Sequence, residues 1–117
     1  MKPASIRPLA EHDLIERTGH YAEAGGGALG ERFFDAAIAA IRSVERAPRS
    51  GSPRVGELLD LPGLRRIGID GFPCGWIYLE RDHDLDVVRL LADRQDLDGV
   101  LGERTSGEDS VDLGSDI

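Results

Sequence analysis

This sequence of 117 residues is short of several residue types, and each shortage excludes something. It has one cysteine, Cys74, so the chain cannot form an internal disulfide, which fits a reducing compartment. One thiolate and three scattered histidines cannot build a tetrahedral metal site, and we expect neither a metal nor a cofactor. Aromatic residues make up only 5%, but a hydrophobic fraction of 40% is enough for the modest core of one domain.

Long apolar runs are also missing. The first seven residues lack an apolar stretch of signal-peptide length. No segment approaches the ~20 consecutive apolar residues that a membrane-spanning helix needs. We therefore expect a cytoplasmic protein that does not bind a membrane directly.

Positive charge is in the minority, because the formal net charge is -8. This balance argues against electrostatic capture of nucleic acid, which requires clustered lysine and arginine to neutralise phosphates. Residues 102–117 carry five acidic residues against one arginine, together with few apolar residues. Such a segment cannot bury enough apolar surface to offset the entropy of ordering it. We therefore predict one domain over residues 1–101 and a disordered acidic tail over residues 102–117.

Two helices are predicted in the first half of the chain. The first is indicated by apolar residues at steps of three and four, namely Leu14, Ile15, Thr18, Tyr21 and Ala22. The second spans Ala28 to Ala47 and is stopped by Pro48; its apolar stripe is Phe33, Phe34, Ala37, Ile38, Ile41 and Val44. Three consecutive glycines at 25–27 cannot comfortably continue a helix, so they predict a reversal between two antiparallel helices.

The second half of the chain changes to the patterns of β-strands. Three strands are predicted, over Leu64 to Asp70, Gly75 to Glu80 and Leu85 to Leu91. Their connectors, 71–73 and 81–84, are too short for a parallel crossover, so the strands form an antiparallel meander. With a possible first strand near Ser5 to Leu9, the chain is predicted to have an α+β fold in which a helical hairpin covers one face of the sheet.

The order of these elements and several short motifs resemble the RelE/ParE superfamily of toxins. The resemblance covers residues 5–101 and rests on an ordered set of motifs: Asp13-Leu14 with Tyr21, Phe33 through Ile41, Pro48-x-x-Gly51, Leu61-Pro62-Gly63-Leu64-Arg65-Arg66, Ile77-Tyr78, and Val87 through Leu91 followed by Arg94-Gln95-Asp96. It implies the fold of that superfamily, a helical hairpin packed on a small antiparallel β-sheet. It also implies the toxin half of a type II toxin–antitoxin pair.

The resemblance further implies a ParD-like antitoxin of the ribbon-helix-helix DNA-binding type, whose flexible segment wraps the toxin. The toxin would then contact DNA only through the antitoxin complex. Phe33, Phe34, Trp76 and Tyr78 are the candidate aromatic anchors for that segment. The alternative is that they are core residues. We expect the core position for Phe34 and Tyr78, because a small domain must bury something large, and we leave both readings open for Trp76.

The superfamily resemblance leaves two principal activities to separate. RelE-like members cleave messenger RNA on the ribosome, which needs a proton acceptor, a proton donor and cations near the phosphate. Here Gly75 stands where that pattern has an arginine, and no tyrosine or histidine follows Arg94 before Leu101. We therefore assign no catalytic residue and predict a toxin that is not an enzyme.

ParE-like members bind and trap DNA gyrase, and this is the predicted activity. The candidate target-binding residues are Arg65, Arg66, Arg89, Arg94, Asp96, Leu97 and Leu101. Many ParE-like members have a histidine just after the last strand, where this chain has Ala92-Asp93. The alternatives are a RelE-like ribosome-dependent mRNA endoribonuclease and an inactive, protein-binding member of the superfamily.

Overall fold

The hairpin and the sheet that the sequence predicts are both present in the structure, a computed structural model that describes residues 1–93. The elements in chain order are β1 (Ala4–Ile6), α1 (Pro8–Gly25), α2 (Gly27–Arg46), α3 (Arg54–Leu59), β2 (Leu64–Gly68), β3 (Cys74–Glu80) and β4 (Leu85–Ala92). The predicted tail, residues 102–117, lies outside the described residues, as do the candidates Arg94, Asp96, Leu97 and Leu101.

A single residue, Gly26, turns the chain between α1 and α2. Its φ of 93° lies in the region that only glycine adopts freely, and its N–H donates to the Ala22 carbonyl at 2.8 Å. The helices then pack closely, because a Cβ on Gly30 would lie 3.0 Å from the Cβ of Ala22. The predicted reversal is confirmed.

One part of the predicted apolar face of α1 is wrong. Leu14 is buried, but Ile15 is 71% exposed. Helical geometry turns each residue by about 100° from the one before it, so the face that buries Ala10, Asp13 and Leu14 turns Ile15 outward. The sequence pattern is compatible with either neighbour facing the core.

The sheet has the strand order β1-β4-β3-β2. β2, β3 and β4 form the predicted antiparallel meander. β1, in contrast, pairs with β4 in parallel, with Ala4 opposite Leu85 and Ile6 opposite Val87, so the sheet is mixed rather than antiparallel throughout. β1 also ends earlier than predicted, because Pro8 begins α1 and the fixed φ of proline suits a first helical turn.

The sequence analysis predicts no element between the second helix and the strand that begins at Leu64, whereas the structure has the short helix α3 there. It is six residues long and is capped at its carboxyl end by Asp60, whose φ of 55° is left-handed. Six residues are too few for a helical period to stand out in the sequence. The helix covers the sheet face opposite the hairpin, where Val55 forms a small core with Leu64, Ile77 and Leu91.

Alternation along β3 divides its large side chains between the two faces of the sheet. Trp76 and Tyr78 face the hairpin and join the main core, whereas Ile77 faces α3. The indole Nε1 of Trp76 donates to the carbonyl oxygen of Ala37 at 2.9 Å, which fixes α2 against the middle of the sheet.

The carboxylate of Asp13 fixes α1 against β4. Its Oδ2 accepts from Arg89 Nε at 2.6 Å and from the Leu90 backbone N–H at 3.0 Å, and its Oδ1 accepts from Arg89 Nη2 at 2.9 Å. The side chains of Asp13 and Arg89 are only 9% and 14% exposed. β1 pairs with β4 only as far as Val87, so the N–H of Leu90 has no acceptor in β1. The Asp13 carboxylate accepts this hydrogen bond instead.

We predict that Asp13→Ala lowers the free energy of unfolding by roughly 3–5 kcal/mol, because it leaves the Arg89 guanidinium buried without its partner and the Leu90 N–H without an acceptor. Urea denaturation followed by circular dichroism measures this loss. Asp84→Ala is the control, since its pair with Arg81 is exposed and should contribute little. Equal effects of the two substitutions would contradict the assignment.

Candidate functional site

The three described arginines that were predicted to contact a target do not form one site. Arg65 and Arg66 are neighbours on β2 and so project from opposite faces of the sheet, with Arg65 opposite Tyr78 and Arg66 opposite Ile77. Each is also held by the protein itself. Arg65 Nη1 donates to the Gly51 carbonyl at 2.7 Å, Arg66 Nη2 pairs with Asp93, and Arg89 is bound by Asp13.

Gly75, which stands where the RelE-like pattern has an arginine, and Asp93, which lies where many ParE-like proteins have a histidine, meet at Arg66. A Cβ on Gly75 would lie 2.7 Å from the Ile67 carbonyl oxygen and 2.8 Å from the guanidinium carbon of Arg66, so the glycine leaves room for the backbone of β2 as well as for this side chain. Asp93 then neutralises it. The three residues form one arrangement, in which Arg66 extends over β3 to the end of β4. A cavity of about 200 Å³ beside it is lined by Ile77, Leu91 and Ala92 as well as Arg66 and Asp93.

The hydroxyl of Tyr78 holds the loop at residues 48–51 against the sheet. It donates to the Pro48 carbonyl at 2.7 Å and accepts from the Gly51 N–H at 3.0 Å. Burial raises the pKa of this phenol. A side chain at Gly51 would collide with the same hydroxyl, which accounts for the glycine in the Pro48-x-x-Gly51 motif. Tyr78 is therefore placed as a structural residue, with no free proton to donate to a substrate.

The four aromatic candidates separate into three buried residues and one exposed residue. Phe33, Trp76 and Tyr78 have no exposed surface, whereas Phe34 is 42% exposed. The predicted core position is confirmed for Tyr78, and the structure also places Trp76 in the core. It was wrong for Phe34: Phe33 and Phe34 are neighbours on a helix, so only one of them can face the sheet. Phe33 takes that position and packs against Tyr21 and Phe72.

A groove on the outer side of the hairpin contains Phe34. We call it the hairpin groove; its volume is about 420 Å³, and it is lined by Thr18, Ala22, Gly27, Gly30, Glu31, Phe34 and Asp35. The Oγ1 atom of Thr18 is buried and has no hydrogen-bond partner within residues 1–93. The sequence analysis did not identify this groove. The available signal was the spacing of Gly27, Glu31 and Phe34, which places them on one face of α2.

A second groove, of about 440 Å³, runs beside α1 and ends at β4. Its lining includes Arg17 and His20 as well as Asp13 and Arg89. The charges of Asp13 and Arg89 are already paired with each other. These two charges are therefore not free to pair with a partner.

Residues 1–93 contain no group of three or more histidine, cysteine, aspartate or glutamate side chains that could hold a metal ion. No helix among these residues is both long enough and apolar enough to cross a membrane.

Comparisons with known proteins give a match in structure alone. No family model and no curated protein matches the sequence. Among solved structures, the fold matches a chain of the chromosomal ParDE toxin–antitoxin (TA) system from P. aeruginosa with a TM-score of 0.67 and 16% sequence identity. The match covers 79% of this chain and 96% of that chain. The predicted α+β fold, with a helical hairpin on a small sheet, is therefore confirmed.

We predict that Phe33→Ala and Phe34→Ala have very different effects on stability. Phe33→Ala empties a fully buried site and should lower the free energy of unfolding by roughly 3–5 kcal/mol. Phe34→Ala should lower it by less than about 1 kcal/mol, because much of this side chain is already in water. Denaturant titration of both variants measures the difference. Losses of equal size would place Phe34 in the core after all.

Proposed function

We propose that this chain is the toxin of a type II toxin–antitoxin pair and that it acts in the cytoplasm by binding DNA gyrase. In this proposal a ParD-like antitoxin of the ribbon-helix-helix type neutralises it, and the toxin contacts DNA only through the antitoxin complex. The observation that carries the proposal is the fold match, which extends over 96% of a chain from a ParDE system. The sequence resemblance over residues 5–101 supports the same function.

Binding rather than cleavage is favoured by the way the sheet residues are used. Cleavage of messenger RNA needs a proton acceptor, a proton donor and unpaired cations around one phosphate. In this chain the Tyr78 hydroxyl already donates one hydrogen bond to the 48–51 loop and accepts another from it. The guanidinium of Arg65 also donates to this loop. Arg66 is neutralised by Asp93. A phosphate at this sheet would first have to displace contacts within the protein.

Phe34 is the candidate anchor for the antitoxin that best fits the structure. Antitoxin segments that fold on binding need apolar surface on the toxin to offset the entropy of ordering. Phe33, Trp76 and Tyr78 are already buried, whereas Phe34 offers such surface in the hairpin groove. We propose this groove as part of the antitoxin-binding surface.

For the gyrase contact we propose the end of β4 and the residues that follow it. Arg66 is one third exposed at this end of the sheet, next to Asp93. The candidates Arg94, Asp96, Leu97 and Leu101 come directly afterwards in the sequence. Gyrase binding requires only a complementary surface, so these residues need no acid–base function.

The proposed function is tested by adding the purified chain to a gyrase supercoiling and cleavage assay and, in parallel, to a cell-free translation reaction. We expect inhibited supercoiling or accumulated cleaved DNA, with translation unaffected. Arg66→Ala, and separately Leu97→Asp with Leu101→Asp, should weaken the inhibition if the proposed surface contacts gyrase. Codon-dependent cuts in messenger RNA would instead support the RelE-like alternative. No effect in either assay would favour the remaining alternative, an inactive member of the superfamily that only binds other proteins.

A further inference from the structure

A patch of positive charge surrounds the end of α2, although the net charge of the chain is -8. Residues 42–54 hold four arginines and one glutamate, a local net charge of +3. The glutamate, Glu45, is mostly buried, because its side chain is 14% exposed and accepts from the Ala4 N–H at 2.8 Å. We call the four exposed arginines the basic patch; they are Arg42, Arg46, Arg49 and Arg54.

Much of the charge of the basic patch is not neutralised within residues 1–93. Arg46 and Arg54 form no ion pair with any of these residues. Arg42 is 3.9 Å from a carboxylate oxygen of α2, and Arg49, whose side chain is 82% exposed, shares Glu80 with a lysine. The patch therefore offers guanidinium groups to a partner that carries several negative charges.

The loop that carries Arg49 is held in place by the sheet. The Tyr78 hydroxyl bonds to both ends of the loop at 48–51, and Arg65 Nη1 donates to the Arg49 carbonyl at 3.2 Å. Ser52 then pairs with Arg66 at the outer edge of β2, through backbone hydrogen bonds of 2.8 and 2.9 Å. The patch is thus presented from a fixed backbone, so less conformational entropy is lost when a partner binds.

The carboxyl-terminal segment of the chain has the opposite charge. Residues 105–117 contain no basic residue and four acidic residues, namely Glu108, Asp109, Asp112 and Asp116. We call these residues the acidic segment. Its charge of -4 complements the +3 of residues 42–54 in both sign and size.

The acidic segment starts within reach of the basic patch. The described residues end at Asp93, which follows β4 and pairs with Arg66. A strand spacing of about 4.8 Å puts Ser52, beyond the far edge of β2, roughly 15 Å across the sheet from β4. Residues 94–104, which join Asp93 to the acidic segment, can span up to about 36 Å when extended.

We propose that the acidic segment folds back onto the basic patch and shields it from nucleic acid. Its carboxylates pair with Arg46, Arg49 and Arg54, whose guanidinium groups would otherwise attract phosphates. Each exposed pair is weak, but a short tether raises the local concentration of the segment to about the millimolar range. The contact is weakened by salt, and it does not depend on the gyrase target.

Attachment to the same chain favours the acidic segment over nucleic acid as the occupant of the patch. A nucleic acid in solution approaches a chain of net charge -8, which repels it at long range. The acidic segment, in contrast, is tethered where attraction acts within the screening distance of about 8 Å at physiological salt. Binding of nucleic acid is therefore expected once the acidic segment has lost its charge.

Paramagnetic relaxation enhancement in NMR tests the contact in the full chain. A nitroxide label is attached at residue 110 by Ser110→Cys, while Cys74 is buried and stays unlabelled. We expect the label to broaden the backbone amide signals of residues 46–54 at low salt. The broadening should disappear at about 1 M salt, where the Debye length is about 3 Å. Broadening that is spread evenly over the surface, or confined to other residues, would overturn the proposal.

Fluorescence anisotropy with a short labelled DNA duplex tests the shielding. A neutral-tail variant of unchanged length carries Glu108→Gln, Asp109→Asn, Asp112→Asn and Asp116→Asn. We expect its Kd for the duplex to be roughly threefold to tenfold lower than that of the unchanged chain, because apparent affinity falls with the fraction of chains whose patch is open. Failure of both proteins to bind the duplex would overturn the shielding.

Substitutions in the basic patch locate the surface. In the neutral-tail variant, Arg46→Gln and Arg54→Gln should each raise the Kd for the duplex roughly threefold, because a phosphate contact is lost. Arg32→Gln is the matched control and should change the Kd by less than about 1.5-fold. Arg32 is also exposed on α2 but precedes Arg46 by fourteen residues, so it lies about 21 Å away. Circular dichroism verifies that every variant is folded.

The same substitutions separate docking from a general effect of charge. In the labelled chain with its acidic segment intact, Arg46→Gln with Arg54→Gln should reduce the broadening of residues 46–54, whereas Arg32→Gln should preserve it. Equal effects of the patch and control substitutions would show that only net charge matters and would overturn the assignment of the patch.

The proposed function can fail separately from this inference. The neutral-tail variant keeps the candidate gyrase contacts Arg94, Leu97 and Leu101 unchanged. A chain that is inactive on gyrase but shows the localised broadening would lose its proposed target and keep the acidic segment on the basic patch. Gyrase inhibition without that broadening would do the reverse.

Discussion

The buried carboxylate of Asp13 is the contact on which the relation between the helices and the sheet depends. β1 pairs with only the first part of β4, so β4 would otherwise present an unpaired N–H at Leu90 and a largely buried, unpaired guanidinium at Arg89. One side chain from α1 satisfies both groups. Because Asp13 cannot move without exposing them, α1 is held at one position along β4. α2 follows it through the one-residue turn at Gly26, and this placement leaves Phe34 on the outer side.

The features that the sequence predicted well are those that repeat over many residues. α2 has an apolar stripe over twenty residues, and the meander strands alternate between short connectors, so their existence and order could be inferred. α3 and β1 span six and three residues and carry no such repeat. The parallel pairing of β1 with β4 depends on contacts between distant parts of the chain, which no local pattern records.

The candidate site was predicted less well, because residue type indicates chemistry but not direction. Two adjacent phenylalanines and two adjacent arginines were each selected together, and in both pairs the backbone sends the neighbours to different places. Three of the four candidate anchors are buried, which leaves Phe34 as the one that a partner can reach. The three described arginines each contact another part of the protein, so they do not form a common site. The groove itself was missed since much of its lining is glycine, alanine and threonine, which have no distinctive chemistry in a sequence.

The pairing of the first strand with the last described strand has a consequence for synthesis on the ribosome. Arg7 and Asp86, which join these strands, are 79 residues apart in the chain. At a translation rate of roughly 5–20 residues per second, the amino-terminal segment waits several seconds for its partner. During that time the helical hairpin has emerged without the sheet that buries Phe33 and Leu14. The nascent chain therefore passes through a stage in which a chaperone can bind its apolar surface and in which the native fold cannot yet form.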